Sequence, residues 1–285
     1  MINEGDALYP QALHKQLFGK ADYKEFDIKV DINSLAKFYF PANFKRQQHC
    51  DEISFSDLLY HEINHGLGFA TSISNYNSGL LTPNPTTTRS RKGKYRKGIK
   101  FPNSAFDKHL SIGGHQKQIA EAVKQINQLG EQMDPRTQKP SEAIRSFKNA
   151  EEMREFQQLM SSNQIDFKTS SNTYLPLEAS YTPFSTKSSI SHFSTSKELP
   201  QQDQFMRADL KSGAGSYSLD YDPSWKTSPF GPGALQVLQS LGYTLNRHPK
   251  MNSSLNGYFR KKISKHQSSY NHKQCIRPLK LNRST

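Results

Sequence analysis

His61, Glu62 and His65 stand in the order His-Glu-Ile-Asn-His, continued by Gly66-Leu67-Gly68-Phe69. On a helix, residues four apart share one face, so both imidazoles can reach a single metal ion. Glu62, next to His61, comes within reach of a water bound to that ion. Two neutral nitrogen ligands, an open coordination position and a carboxylate base are what zinc-dependent hydrolysis of an amide needs. The competing reading, two polar histidines on an ordinary surface helix, leaves the flanking residues unexplained. Ser54 with Asp57 resembles a capping box just ahead of an apolar run. Phe55, Leu58, Leu59, Ile63 and Leu67 recur at three- and four-residue spacing, which predicts a half-buried helix. Gly66 and Gly68 then weaken the helix directly after the second histidine, where the backbone must turn away.

A catalytic zinc usually takes three protein ligands and leaves its fourth position to water. The metzincin position for a third histidine, six residues after the second, holds Thr71. A gluzincin-type acid is also missing, because no Asp or Glu lies between Glu62 and Asp107. The third donor must be distant, and the later histidines are His109, His115, His192, His248, His266 and His272. His192 stands out in the run Ser188-Ser189-Ile190-Ser191-His192-Phe193, with His109 as runner-up. Composition alone would make His192 a surface residue of a Ser/Thr-rich loop.

Taken in order, these pieces resemble secreted zincin metallopeptidases of fungi and bacteria. In those proteins HExxHGLGF is followed far downstream by an SSISH segment, then a Met-containing turn, then a helix ending in Leu-Gly-Tyr or Leu-Gly-Trp. Leishmanolysin-like enzymes similarly separate the helix ligands from the third histidine by a long insertion. The matching stretches are Leu58 to Phe69, Ser188 to His192, Phe205-Met206 and Gly231 to Tyr243, with Phe26 to Phe40 and Phe106-Asp107-Lys108 also similar. Together they cover most of residues 7 to 245. Arg207 directly after Met206 departs from the pattern of the Met-turn. The resemblance implies a zincin-like α+β fold with Zn2+ held by His61, His65 and His192, Glu62 as catalytic base and Met206 beneath the metal. It implies a zinc metalloendopeptidase acting on protein or peptide substrates. Zinc would lower the pKa of its water to about 7, and Glu62 would take that proton and hand it to the leaving amine. The tetrahedral oxygen needs a further donor, for which Tyr217, Tyr221 and His248 are candidates.

The elements that must position these groups read as α+β. Phe26, Ile28, Val30 and Ile32 alternate with Asp27, Lys29, Asp31 and Asn33, predicting a strand with one buried face and an N-terminal sheet ahead of the zinc helix. Residues 71 to 105, rich in Ser, Thr, Asn, Pro and Gly, read as loop. His115 to Leu129 and Ser141 to Met160 read as helices of an insertion spanning about 110–165. Asp166 to Ala179 reads as a hairpin turning at Ser171-Asn172, and a last helix runs near Ala234 to Leu241 behind Gly231-Pro232-Gly233. Residues 1–245 then form the metallopeptidase domain, with the distant third ligand in its C-terminal part. Residues 246–285 form a basic tail predicted to be disordered.

Charge is unevenly placed in a chain of net charge +13. Residues 89–100 hold seven basic side chains and residues 247–285 hold ten, with no acid in either stretch. Such runs are usually solvated and sometimes contact polyanions. No base-reading motif accompanies them, although Tyr95, Tyr258, Phe259 and Tyr270 lie among the basics. The alternative function is therefore a catalytically inactive zincin-like protein that binds polyanions or cell-surface partners; retention of Glu62 argues for the enzyme. No apolar run of eighteen residues occurs, which excludes a transmembrane helix from the sequence pattern. The resemblance implies an extracellular protein, yet Met1 to Lys20 lacks the apolar core of a signal peptide. Ala7-Leu8-Tyr9-Pro10-Gln11-Ala12-Leu13 already reads like the start of a mature domain, as expected of a gene model missing its 5′ end. Cys50 and Cys275 permit one disulfide without requiring it. Asn252-Ser253-Ser254 and Asn282-Arg283-Ser284 are glycosylation sequons that matter only on an exported chain.

Overall fold

Ser54 ends a short strand and caps the helix that carries the paired histidines, its Oγ accepting the Asp57 N–H at 3.4 Å. The computed structural model in which this is seen describes residues 1–4, 7–19, 24–40, 49, 51–76, 80–89, 96–114, 117–132, 140–162, 164–179, 184–185, 188–195, 200–208 and 230–245. Six helices lie among them: α1 (Gln11–Phe18), α2 (Phe55–Leu67), α3 (Ile119–Glu131), α4 (Pro140–Ser146), α5 (Glu151–Met160) and α6 (Pro232–Leu241). The first strands, β1 (Ile2–Glu4) and β2 (Ala7–Tyr9), pair antiparallel. Next come β3 (Phe38–Tyr39) and β4 (Ile53–Ser54), which pair parallel just ahead of α2. Two antiparallel pairs follow α2: β5 (Ile73–Tyr76) with β6 (Leu80–Pro83), and β7 (Thr86–Arg89) with β8 (Arg96–Lys100). β9 (Asn103–Ser104) adds to β2 in parallel. The last four, β10 (Leu110–Ile112), β11 (Lys117–Gln118), β12 (Ile165–Lys168) and β13 (Tyr174–Pro176), form an antiparallel sheet in the order β11-β10-β12-β13.

Two expectations about strands are overturned. Residues 26–32 form no strand among the described residues; Ile28 instead packs over α2, where a Cβ on Gly66 would come within 2.6 Å of its Cγ2. Phe26 and Ile32 are left exposed, so the alternation marks a segment laid on a helix end rather than a sheet member. Residues 71–105 are not loop: they hold β5 to β9. The Ser/Thr/Asn composition concealed them, although Thr86-Thr87-Thr88 has the β-branched chemistry that strands favour.

The helices follow the sequence more closely. α3 begins at Ile119 rather than His115, because Lys117 and Gln118 pair with Ile112 and Ser111. The helix expected over 141–160 is two, separated by a 3-10 turn at Phe147–Asn149 and an extended Ala150. The hairpin forms as β12 and β13, with Asn172 at φ 61 in its turn, a conformation that Asn tolerates better than most residues. α6 starts at Pro232 and stops at a left-handed Gly242.

Helices α3 to α5 share one hydrophobic core with the segments bearing the histidines. Ile119, Ile126, Met153 and Phe156 belong to the same buried cluster as Phe69, Phe106, Phe193 and Phe205. Each such side chain contributes about 1.5–3 kcal/mol by leaving water, so the 110–165 segment is a structural part of the body that holds the site. No helix among the described residues is long and apolar enough to cross a membrane. The basic tail 246–285, residues 90–95 of the basic loop, Cys50 and Cys275 lie outside the described residues. So do Tyr217, Tyr221, His115, His248, His266 and His272.

Candidate metal centre

α2 places His61 and His65 on one face, one turn apart, with their Nε2 atoms 3.1 Å from each other. Gly68, at φ 120, ends the helix and re-aims the chain so that the Phe69 carbonyl points back at His65. A side chain at that φ is strained, which accounts for glycine there. Gly66 has a different reason, the close passage of Ile28. The two glycines of the HGLGF run thus serve packing on one side and the positioning of His65 on the other.

His192 comes from a segment 127 residues after His65, and its Nε2 lies 3.1 Å from that of His61. This segment is tied to the end of the four-stranded sheet: Glu178 N–H donates to the His192 carbonyl at 2.8 Å, and Ile190 N–H to the Glu178 carbonyl at 2.6 Å. Ser194 N–H donates to Pro176. Ile190 is buried in a left-handed conformation, φ 70. For a β-branched residue that costs roughly 1–3 kcal/mol, and it persists because the flanking bonds over-determine the turn that presents His192.

All three imidazoles have the same outer arrangement. Nδ1 of His61 meets the Phe205 carbonyl at 2.6 Å, Nδ1 of His65 the Phe69 carbonyl at 2.8 Å, and Nδ1 of His192 the Ser188 carbonyl at 2.6 Å. A carbonyl only accepts, so each Nδ1 carries the proton and each Nε2 turns a bare lone pair inward. Three acceptors face one another, His61 and His192 buried and His65 half-buried, with no proton to share. A cation resolves that conflict. The 3.1 Å separations are close to the roughly 3.3 Å expected between nitrogens on a tetrahedral zinc. Three neutral imidazoles, oriented through Nδ1 by backbone carbonyls, are a donor set that suits zinc.

Burial is the main cause that pulls His61 down to about 3 and His192 down to about 4, from an ordinary 6.5. Both rings are therefore neutral near pH 7, the form that ligates. In the metal-free protein the folded pKa values are depressed, so the unfolded chain binds protons first as pH falls. Stability is fully present above pH 6.5 and is lost as pH drops from there towards 4, by up to about 1.4 kcal/mol per unit for each ring. Urea midpoints of chelator-treated protein should hold steady from pH 8 to 7 and decline between 6 and 4. Equal midpoints at pH 7 and pH 4 would contradict the buried, neutral triad.

Glu62 is half-buried and, with the three histidines, lines a cleft of about 540 Å³. Ala70 to Ser74 and Asn84 also line it, as do Ser188, Ser189 and Ser191 next to His192 in the chain. Met206 is buried and its carbonyl accepts from Phe193 N–H, beside His192, while the preceding Phe205 supplies the carbonyl on His61. The turn containing them is anchored by Asp203, whose carboxylate accepts from Gly233 and Ala234 at the start of α6. Burial raises the Asp203 pKa against the lowering effect of those two bonds. His109, the other described histidine weighed as third ligand, is elsewhere: its ring stacks on Phe167 and its Nδ1 meets the Lys168 carbonyl. The backbone acceptors of Phe69, Ser188 and Phe205 were not foreseen, since a carbonyl leaves no mark in the sequence.

A curated relative, uncharacterized protein PB7E8.01 of Schizosaccharomyces pombe, is 26% identical over 285 residues, covering 84% of this chain and 47% of that protein. The chain thus spans about half the length of the relative it matches. No solved structure matches it. The SPBPB7E8-like family profile matches residues 1–90 and 95–261, which include α2, the His192 segment and α6: the chain belongs to the SPBPB7E8-like family.

Proposed function

We propose that this protein is a zinc metalloendopeptidase with a zincin-like fold. The observation that carries the reading is the convergence of three Nε2 lone pairs, each oriented by a carbonyl behind it, beside the Glu62 carboxylate in one cleft. His61, His65 and His192 would hold zinc, which when bound would supply Lewis acidity and a water of pKa about 7. Glu62 accepts a proton from the attacking water and returns it to the leaving amine. His61 and His192 stay neutral because they are buried. The cleft volume lies within the range typical of ligand sites, and its open hydroxyl-lined wall suits a chain segment better than a small apolar molecule. The family resemblance adds export from the cell, and the basic residues around 89–100 add contact with polyanions, both as parts of the same proposal.

The test is metal content together with hydrolysis. Purified protein should hold about one zinc per chain and cleave an unfolded protein such as casein. A chelator should abolish cleavage, and added zinc should restore it. Protein that is fully loaded and folded, yet leaves a broad peptide library intact, would leave the binding-protein alternative in its place.

A further inference from the structure

Asp107 is fully buried, yet it is not one of the convergent donors, and its hydrogen bonds go to Thr71, Ser72 and Ser104. Its carboxylate accepts four hydrogen bonds: Thr71 Oγ1 at 2.6 Å, Ser72 N–H at 2.9 Å, Ser72 Oγ at 2.5 Å and Ser104 N–H at 3.0 Å. Such a group is costly to bury, and here every donor but one comes from the short stretch that forms the cleft wall. We infer that Asp107 is a positioning residue, which sets the 69–72 backbone and through it the orientation of His65 and His192.

Two paths of contact lead from Asp107 to the site. In the first, Asp107 N–H donates to Ser104 Oγ, and Ser104 Oγ donates to the Ala70 carbonyl. Ala70 adjoins Phe69, whose carbonyl holds Nδ1 of His65. In the second, Thr71 N–H donates to Ser191 Oγ at 3.1 Å, next to His192. Thr71 is thus fixed by Asp107 through its hydroxyl while its amide holds the His192 segment. Ring packing runs along the same line: Phe106 lies against Phe69, and Phe69 stands edge-on to Phe193, which follows His192. Each residue next to a positioning group therefore packs on the next, and a shift at Asp107 reaches two of the three imidazoles.

The inference rests on the proposed metal centre, so metal affinity is its direct measure. Asp107→Asn keeps the shape but replaces one acceptor oxygen by an NH2, which faces donors it cannot satisfy. Loss of groups that orient metal ligands typically weakens metal binding 10- to 100-fold. Zinc dissociation constants, measured by competition with a chelator, should rise by about that factor in Asp107→Asn. Ser104→Ala cuts only the path to Ala70, removing the bond to the Ala70 carbonyl and the one from Asp107 N–H, and losing two bonds worth about 1 kcal/mol each should weaken zinc binding by a factor of about 5 to 30. Gln157→Ala is the stability control, because among the described residues the Gln157 side chain bonds Leu81 N–H, the Leu81 carbonyl and Met153. It should lower the melting temperature and leave the zinc constant unchanged. Amide exchange in metal-free protein gives a second readout, in which Thr71 and Ser72 should lose protection in Asp107→Asn. If Asp107→Asn does not fold, Ser104→Ala decides, and an unchanged zinc constant there overturns the inference. Wild-type protein binding zinc one to one, with Asp107→Asn binding it as tightly at a lower melting temperature, overturns it while sparing the metal centre. Wild-type protein that binds no zinc overturns both.

Discussion

His192→Ala protein should emerge from purification nearly free of zinc, whereas His109→Ala should keep a full complement. Removing a residue that only orients a ligand costs 10- to 100-fold in metal affinity, so removing the ligand should cost more than about 100-fold. His61 and His65 would remain, held by Phe205 and Phe69, but two imidazoles leave half of a tetrahedral site to solvent. His109 provides the contrast because it too is shielded, half-buried, and bonded to a carbonyl. Its ring packs on Phe167, so His109→Ala should lower stability without touching the metal. Zinc analysis of both variants, with melting temperatures alongside, separates the two roles. Full zinc in His192→Ala, or its loss in His109→Ala, would mean that the third ligand has been misassigned.

The parts of this site legible in the sequence are those that side chains write. α2 was readable because its cap, its apolar stripe and its two glycines are all local, and each has a visible task in the fold. The Ser188–His192 run pointed to a histidine, and α6 was signalled by Gly231-Pro232-Gly233. Tertiary pairing was less readable. Ile28 and Val30 alternate like a strand, but what Ile28 meets is the end of α2, a partner that no local pattern names. Strands β5 to β9 were concealed by the polar composition of the stretch that holds them, and β6 is met by a distant partner, α5, where Gln157 bonds both the amide and the carbonyl of Leu81. The carbonyls that fix the imidazoles are the extreme case. Any residue type has one, so Phe69, Ser188 and Phe205 could be found only in three dimensions.

Glu62→Ala should separate holding the metal from using it. Glu62 is not among the convergent donors, and it lines the cleft beside them, so its removal should leave zinc content and fold close to wild type. Hydrolysis should fall by at least about 10²- to 10⁴-fold, the usual contribution of a positioned acid–base group, with most of the loss in kcat. Glu62→Asp keeps the charge but shortens the side chain by one methylene. α2 is fixed at both ends, by Ser54 at its start and by Gly68 and Ile28 at its end, so the backbone cannot advance to make up that length. It should therefore also be poor, since small displacements of a catalytic group cost large factors in rate. Glu62→Gln, with the length but not the basicity, should fail as well. If Glu62→Ala binds zinc and cleaves casein at the wild-type rate, the base is another group and the proposed mechanism is wrong. If Glu62→Asp alone retains activity, the carboxylate is the base but α2 must move to let it reach.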